Sequence, residues 1–391
     1  MGVLFIMPQW AAPSELWMQR MIEAIEPHIV AIGCPSPTEK IWRNRIPAFA
    51  LQDSPPNFLR RLSHRLRIPV WLKPRETALD VLRNAIADPS VTTVLINYLE
   101  DALQFEDVWA STPKPVFVHC HGCDVTWDWR LHESPDRCHF PFDYVQRARR
   151  LGARVTFIAN SASTAQRLLS IGIQRERIQI KYYGIPAPSA PPPHLLQTTG
   201  LQILYLGRLI DFKGPDLVIR AFEMACDQGL DATLTLAGDG PLRLTCELLQ
   251  RRSRYRERIR LLGAINGDQG EKLRAEADIF TAHNYFGPLS HQEEAFGVSV
   301  VEAMAAALPV VSGRNGSLSE TVVDGETGIL VEPGDVAAHA QAFLRLAADP
   351  ALRRQMGEAG WRRAREHFSV EQERTSLLRI LGLPNPSTCA F

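Results

Sequence analysis

Apolar residues recur along this chain in two rhythms. Short runs at Val3–Met7, Ile29–Ile32, Pro69–Leu72, Thr92–Asn97, Val116–His119, Val155–Ala159 and Ile178–Tyr182 read as strands. Between them, Glu15–Ile25, Glu76–Ala87 and Ala162–Ser170 place apolar residues at helical spacing. Such alternation predicts a parallel sheet with helices on both faces, and ligands on such sheets bind at the carboxyl ends of the strands. The rhythm breaks between Ile185 and Gly200, where Pro186, Pro188, Pro191, Pro192 and Pro193 make a stiff, extended linker. It then restarts, with strands expected at Gln202–Leu206, Ala232–Ala237, Arg258–Leu262 and Asp278–Ala282, and helices at Gly214–Gln228 and Leu242–Arg251. Helical patterns at Val336–Leu346, Ala351–His367 and Val370–Leu381 close the chain. The fold class is therefore α/β, with two doubly wound domains. The boundaries fall at 1–186 for the first domain, 187–200 for the linker, 201–368 for the second domain, and 369–391 for a last helix and loose tail.

Composition narrows the class. A chain of 391 residues with 45% hydrophobic content suffices for two cores. Lys+Arg and Asp+Glu are both 43, so no global field favours nucleic acid as a partner. The seven cysteines are odd in number and scattered, which fits a reducing compartment. The opening run Met1–Met7 lacks a basic flank and reads as a first strand rather than a signal peptide. No apolar run approaches the roughly 18 residues of a membrane span, and a cytoplasmic location is expected.

The stretch Glu294–Pro309 carries the most chemistry. Glu294 and Glu302 bracket a short apolar turn with Gly297, and Val298–Leu308 reads as a tightly packed helix ending before Pro309. A helix N-terminus offers unpaired N–H groups and partial positive charge, which suits phosphate. Carboxylates beside it can accept hydrogen bonds from sugar hydroxyls. Upstream, Gly207-Arg208 ends a strand and Lys213-Gly214 precedes a helix. An arginine grips phosphate oxygens bidentately and a lysine adds a point charge, so the two suit a diphosphate. Gly238-Asp239-Gly240-Pro241 reads as a tight strand-to-helix turn, and Gly263 ends a further strand. Ser312–Ser317, Glu320 and Asp324-Gly325-Glu326-Thr327-Gly328 read as strand, glycine loop, capped helix, turn and strand.

Taken in order, Gly-Arg…Lys-Gly, Gly-Asp-Gly-Pro, the paired glutamates and Asp-Gly-Glu-Thr-Gly make Leu201–Phe368 resemble the donor domain of retaining glycosyltransferases of family 4, the group 1 glycosyl transferases of GT-B fold. The resemblance implies transfer of a sugar from a nucleotide diphosphate sugar, with no metal and no other cofactor. It implies that Arg208 and Lys213, with Gly207 beside them, bind the donor diphosphate. Glu294 would contact the donor sugar, helped by Phe296 and Gly297 through backbone amides, with Val298 at the same helix end. Glu302 would bind the ribose, and Gly263 would lie beside the base. Many relatives have glycine where this chain has Ala295. The two Rossmann-like domains would face each other across a cleft, and the last helix would return to the first domain.

The first half adds His119-Cys120-His121-Gly122-Cys123-Asp124, which is similar to the family's strand followed by His-Gly-x-Asp. By that resemblance His121 lies beside the donor sugar and Asp124 supports it on the acceptor side. The catalytic set is then His121, Glu294, Arg208 and Lys213. Ser161 is a natural cap for the helix after it. A rival reading of Cys120-x-x-Cys123, with His119, His121 and Cys138-His139, is zinc or redox chemistry, but the second pair lacks the usual spacing. Ser14-Glu15 stands where many relatives carry a glycine-rich loop, and is assigned to the acceptor side. Two basic clusters, Arg60, Arg61, His64, Arg65 and Arg67, and Arg147, Arg149, Arg150 and Arg154, read as solvated faces or as peripheral contact with a membrane surface or a lipid-linked acceptor.

The expected function is transfer to a glycan, lipid-linked or small-molecule acceptor in polysaccharide or glycoconjugate synthesis. Two alternatives stay open: another GT-B enzyme, an epimerase or phosphorylase, and a nucleotide-sugar-binding scaffold without catalysis.

Overall fold

Among the described residues, fourteen short strands form two largely parallel sheets, one in each half of the chain. The computed structural model describes residues 1–10, 16–51, 77–125, 143–192 and 200–385. The expected strand at 69–72, Ser14, Glu15, Cys138, His139 and the Arg60–Arg67 cluster lie outside these residues.

The first sheet comprises β1 (Gly2–Ile6), β2 (Ile29–Cys34), β3 (Ile41–Trp42), β4 (Ile46–Ala50), β5 (Val91–Asn97), β6 (Val116–Cys120), β7 (Thr156–Ala159) and β8 (Ile178–Ile180), in the order β3-β4-β2-β1-β5-β6-β7-β8. Only the two-residue β3 runs antiparallel, against β4. Order reverses at β1, which sits between β2 and β5. Every residue of β1 is buried, because helices cover both faces of the sheet. The second sheet comprises β9 (Leu201–Leu206), β10 (Ala232–Ala237), β11 (Ile259–Gly263), β12 (Ile279–Thr281), β13 (Val310–Gly313) and β14 (Gly328–Val331), in the order β11-β10-β9-β12-β13-β14. The neighbours in this order pair in parallel, and order reverses at β9. Both reversal points are places where loops splay apart and leave a crevice.

Each sheet has a core on either face. One first-domain core sets Met18, Met21, Ile22 and Ile25 of the helix Leu16–Ile25 against β1 and β2, and includes Leu377, Leu378 and Leu381 of the last helix, Val370–Leu381. The chain thus crosses between domains twice, at Ile185 and at Ser369, and the two crossings touch: Ile185 N donates to Phe368 O at 2.7 Å. The linker lies along the helix Pro350–His367, where Trp361 Nε1 and Arg365 Nη1 each donate at 3.0 Å, to Pro188 O and Ser189 O.

The helix expected over Val298–Leu308 ends earlier, at Ala305. The helix at Leu318–Thr321 has no side-chain cap; the hydroxyl of Ser317 is buried without a partner among the described residues.

Candidate active site between the domains

The loop after β9 sets the cationic side of the cleft. Lys213 ends a short 3-10 turn, Asp211–Lys213, that leads into the helix Pro215–Asp227. Asp211 anchors the turn by accepting from Leu289 N and Ser290 N at 2.7 and 2.8 Å. Burial pushes the Asp211 carboxyl up, but its bonds to Ser290 and to backbone amides outweigh this and hold it below its ordinary range. The Phe212 ring lies beneath both cations, with Arg208 at 5.9 Å and Lys213 at 5.5 Å from its centre. Arg208 is exposed toward the cleft mouth. The backbone here is crowded: Gly238 sits at φ 144°, and a Cβ on it would run into the carbonyl oxygen of Gly207. Glycine in the turn after β10 is what lets the Arg208 loop pass over it.

Glu294 occupies the loop before the helix Val298–Ala305 and is buried. One oxygen forms an ion pair with Lys213 and accepts from Asn284 Nδ2 at 2.9 Å. The other accepts from Gly297 N at 3.1 Å, at the helix N-terminus. Burial raises its pKa, yet the Lys213 ammonium, the more distant Arg208 and the Gly297 amide outweigh burial and hold the carboxyl below its ordinary value. The two residues assigned separately to phosphate and to sugar are thus bonded to each other. The Phe296 side chain points the other way, into an aromatic floor with Tyr182, Tyr183 and Phe368; only its backbone is available to the cleft.

Glu302 lies one turn into the same helix. Its two oxygens are held by Arg20 Nη2 at 3.3 Å and Arg274 Nη1 at 3.2 Å. Gly263 and the ends of β10 and β11 border a small open hollow of about 80 Å³, lined by Leu209, Leu261 and Leu262 with Arg243 and Glu247.

The loop after β6 forms the opposite wall. Asp124 is buried and organises it: Oδ1 accepts from His121 N and Gly122 N, both at 2.9 Å, and Oδ2 from Leu99 N at 2.9 Å. Burial lifts this carboxyl to about 6 against the opposing pull of those amides. Asp124 is thus a buried support for the His121 loop, with both oxygens committed to backbone amides. His121 Nδ1 is bonded to Tyr183 Oη. Asn160 Nδ2 donates to the same hydroxyl at 3.4 Å and to His121 O at 3.2 Å, while His121 Nε2 is buried with no partner among the described residues. Trp17 and Tyr98 flank the ring, with centres at 4.2 and 4.4 Å. Tyr98 holds a φ of 72°, an uncommon conformation for a bulky residue at a strand end. Burial, and then the nearby Lys181 charge, push His121 well below its ordinary pKa, so the ring is neutral.

Sequence reasoning missed what lies behind this histidine. Lys181 and Glu373 form a fully buried ion pair, and Glu373 also accepts from Gly184 N at 2.8 Å. The Lys181 ammonium lies 4.9 Å from the centre of the Tyr183 ring. A lysine inside the apolar run Ile178–Tyr182 was the available signal. The partner of Lys181 comes from the last helix, 192 residues away.

The walls meet directly. Glu320 of the second domain accepts from Ala162 N and Ser163 N at 2.9 and 3.1 Å, at the start of the first-domain helix Ala162–Ser170, beside the capping bond from Thr164 N to Ser161 Oγ at 3.0 Å. Arg167 pairs with Glu293 at 2.8 Å.

Other assignments fare differently. Cys120 is buried and its thiol is pushed well up by burial, the reverse of a reactive thiolate; Cys123 is exposed and the two are not bonded. Among the described residues no three His, Cys, Asp or Glu side chains gather as metal ligands, and no helix is long and apolar enough to cross a membrane. Of the described basic cluster, Arg147 pairs with Glu106 at 3.1 Å and Arg149 donates to Ile171 O at 2.5 Å, so half of it is spent inside the protein.

Residues 188–363 match the family model described as Glycosyl transferases group 1. The second domain is a group 1 glycosyl transferase domain. It is 31% identical over 180 residues to a GDP-mannose-dependent alpha-(1-6)-phosphatidylinositol monomannoside mannosyltransferase of Mycolicibacterium smegmatis, covering 46% of this chain and 47% of that one. It is 32% identical over 155 residues to the N-acetyl-alpha-D-glucosaminyl L-malate synthase of Bacillus anthracis, covering 40% and 38%. The chain thus spans about half, or less, of these curated relatives. Among solved structures, Anabaena Alr3699/HepE in complex with UDP superposes with TM-score 0.74 at 19% identity, covering 98% of this chain and all of that one. Sucrose-phosphate synthase from Thermosynechococcus elongatus gives TM-score 0.73 at 19% identity over 97% and 98%. The fold is GT-B.

Proposed function

We propose that this chain is a retaining, metal-independent glycosyltransferase that takes a sugar from a nucleotide diphosphate sugar and delivers it to a glycan, lipid-linked or small-molecule acceptor. The observation that carries this reading is the Lys213–Glu294 ion pair, set beside Arg208 at the strand ends of the second domain. A cation for the diphosphate and an anion for sugar hydroxyls are there held in one bonded unit. A lysine ammonium has three donors, so Lys213 can keep Glu294 while bonding phosphate. Solved structures of this fold that hold UDP and UDP-glucose add support for a nucleotide-sugar donor.

In this reading the base fills the hollow beside Gly263, and Glu302 accepts from the ribose. Arg208, Lys213 and the Gly297–Val298 helix end neutralise the diphosphate as it leaves, the larger part of the rate enhancement. Neutral His121 bonds a hydroxyl near the reacting carbon through Nε2, which has no partner among the described residues. Glu294 binds hydroxyls and forms no covalent bond; the acceptor attacks the face the diphosphate leaves, which takes up its proton.

The test is a thermal-shift screen of nucleotide diphosphate sugars, followed by product analysis with the stabilising donor in EDTA. Stabilisation by one donor and release of its nucleotide without metal are expected. Absence of any stabilising donor would overturn the reading.

A further inference from the structure

Arg20 is carried by the first-domain helix Leu16–Ile25, yet its Nη2 reaches Glu302 of the second domain, 282 residues away, at 3.3 Å. The two side chains are only 20% and 17% exposed, so this is a shielded contact and not a surface pair. The second nitrogen, Nη1, is buried with no hydrogen-bond partner among the described residues. A guanidinium holds five N–H donors in one plane, and leaving buried ones unmade is costly. A free, buried donor next to a carboxylate already held from the other side by Arg274 calls for an acceptor.

The charge around it says which kind. Arg20 and Arg274 share one carboxylate; Lys213 is paired with another, with Arg208 close enough to act on it through its charge. Each group is left with an excess of positive charge. A carboxylate offers about four acceptor positions. Glu302 can therefore keep both arginines and still accept from two adjacent hydroxyls, which the arginines would hold in a fixed orientation.

We propose that Arg20 is a nucleotide-binding residue supplied by the facing domain: it orients Glu302 for a ribose diol and gives its free Nη1 to the nucleoside diphosphate. This rests on the donor reading given above. Because Arg20 travels with the first domain, its bonds form only when the domains are together. A ligand that strengthens them favours the closed arrangement by the same factor that closure favours the ligand.

The experiment titrates UDP, GDP, ADP and dTDP into wild type, Arg20→Ala, Arg20→Lys and the exposed control Arg83→Ala, with small-angle scattering of each in the presence of the nucleotide bound. Arg20→Ala should weaken that nucleotide about tenfold or more, as for loss of a charge-assisted bond. Arg20→Lys should recover little, because an ammonium lacks the planar fork. In a Glu302→Gln background the effect of Arg20→Ala should shrink, since the two act through each other. Nucleotide should compact the wild type and not Arg20→Ala. A purely structural arginine would lower the melting midpoint and leave nucleotide affinity alone. Equal affinity and equal compaction in wild type and Arg20→Ala overturn this proposal and leave the donor reading standing. If wild type binds none of the four nucleotides, the donor reading falls and Arg20 with it.

Discussion

Gly122 and Ala295 face each other across the cleft so closely that a Cβ on Gly122 would lie 2.5 Å from that of Ala295. Gly122 follows His121, and Ala295 follows Glu294, so this contact limits how near the imidazole can come to the carboxylate. The wall that lacks a methyl is the first-domain one, where Gly122 holds a φ of 122°.

Gly122→Ala should therefore hold the walls apart. Transfer rate should fall by about tenfold or more, and nucleotide affinity should fall with it as Arg20 is drawn away from Glu302. The strained φ adds a stability cost on the order of 1–3 kcal/mol. Adding Ala295→Gly removes the collision but not the strain, and should restore rate ahead of stability. Steady-state kinetics and urea unfolding of both variants check this; an unimpaired rate for Gly122→Ala would show that the walls need not touch.

Lys213→Ala and Glu294→Gln should each lower transfer by about 10²–10³-fold, as for other groups aimed at developing charge. Nucleotide release from the preferred donor measures it. The carboxyl of Glu294 titrates below its ordinary 4.5. A depressed folded-state value means that its stability contribution is present above that pH and is lost as pH falls through the folded value. The difference in unfolding free energy between wild type and Glu294→Gln should accordingly shrink on acidification below about 4.5.

Asp124 carries the opposite sign. Its folded value of about 6 stands above the ordinary 3.8. Between those values the folded state binds the extra proton, so this group's contribution to stability declines as pH rises from about 4 to 6. The size is on the order of 2–3 kcal/mol. Asp124→Asn should flatten that part of the pH–stability curve; an unchanged slope would mean that the carboxyl titrates normally.

Breaking the buried pair by Glu373→Ala should cost about 3–5 kcal/mol, because it strands a charge, while Lys181→Met with Glu373→Leu should cost much less. Chemical denaturation measures both. The double variant also removes the ammonium that holds His121 down, so the histidine's NMR titration should move to higher pH. A titration that does not move would assign the depression to burial alone.

Most of the strand positions were legible because each buried parallel strand is an apolar run bounded by turn residues. β3 and β4 were not: Pro47 and the pair Arg43 and Arg45 interrupt the pattern, and the strands exist because β2 has a free edge to pair with. The helix Gly267–Glu276 was missed for another reason. Only Gly270 in it is buried, so it has no apolar stripe, and its visible signal is the Asn266–Gln269 capping box. The site residues Arg208, Lys213 and Glu294 were readable as charges at strand and helix ends. Their bonding was not, nor was the part of Arg20, Tyr183 or Glu373. Those residues look ordinary in their own stretches and gain meaning only from partners far along the chain.

The double crossing at Ile185 and Ser369 has a consequence for anyone wishing to dissect the molecule. No single cut yields an intact lobe. A fragment stopping near Phe368 would keep the donor half whole but strip the other of Leu377, Leu378 and Leu381, baring Met18, Met21 and Ile22, and it would leave Lys181 with no counter-ion. An independently soluble front lobe would have to be built by splicing Val370–Leu381 back onto it through a new connection.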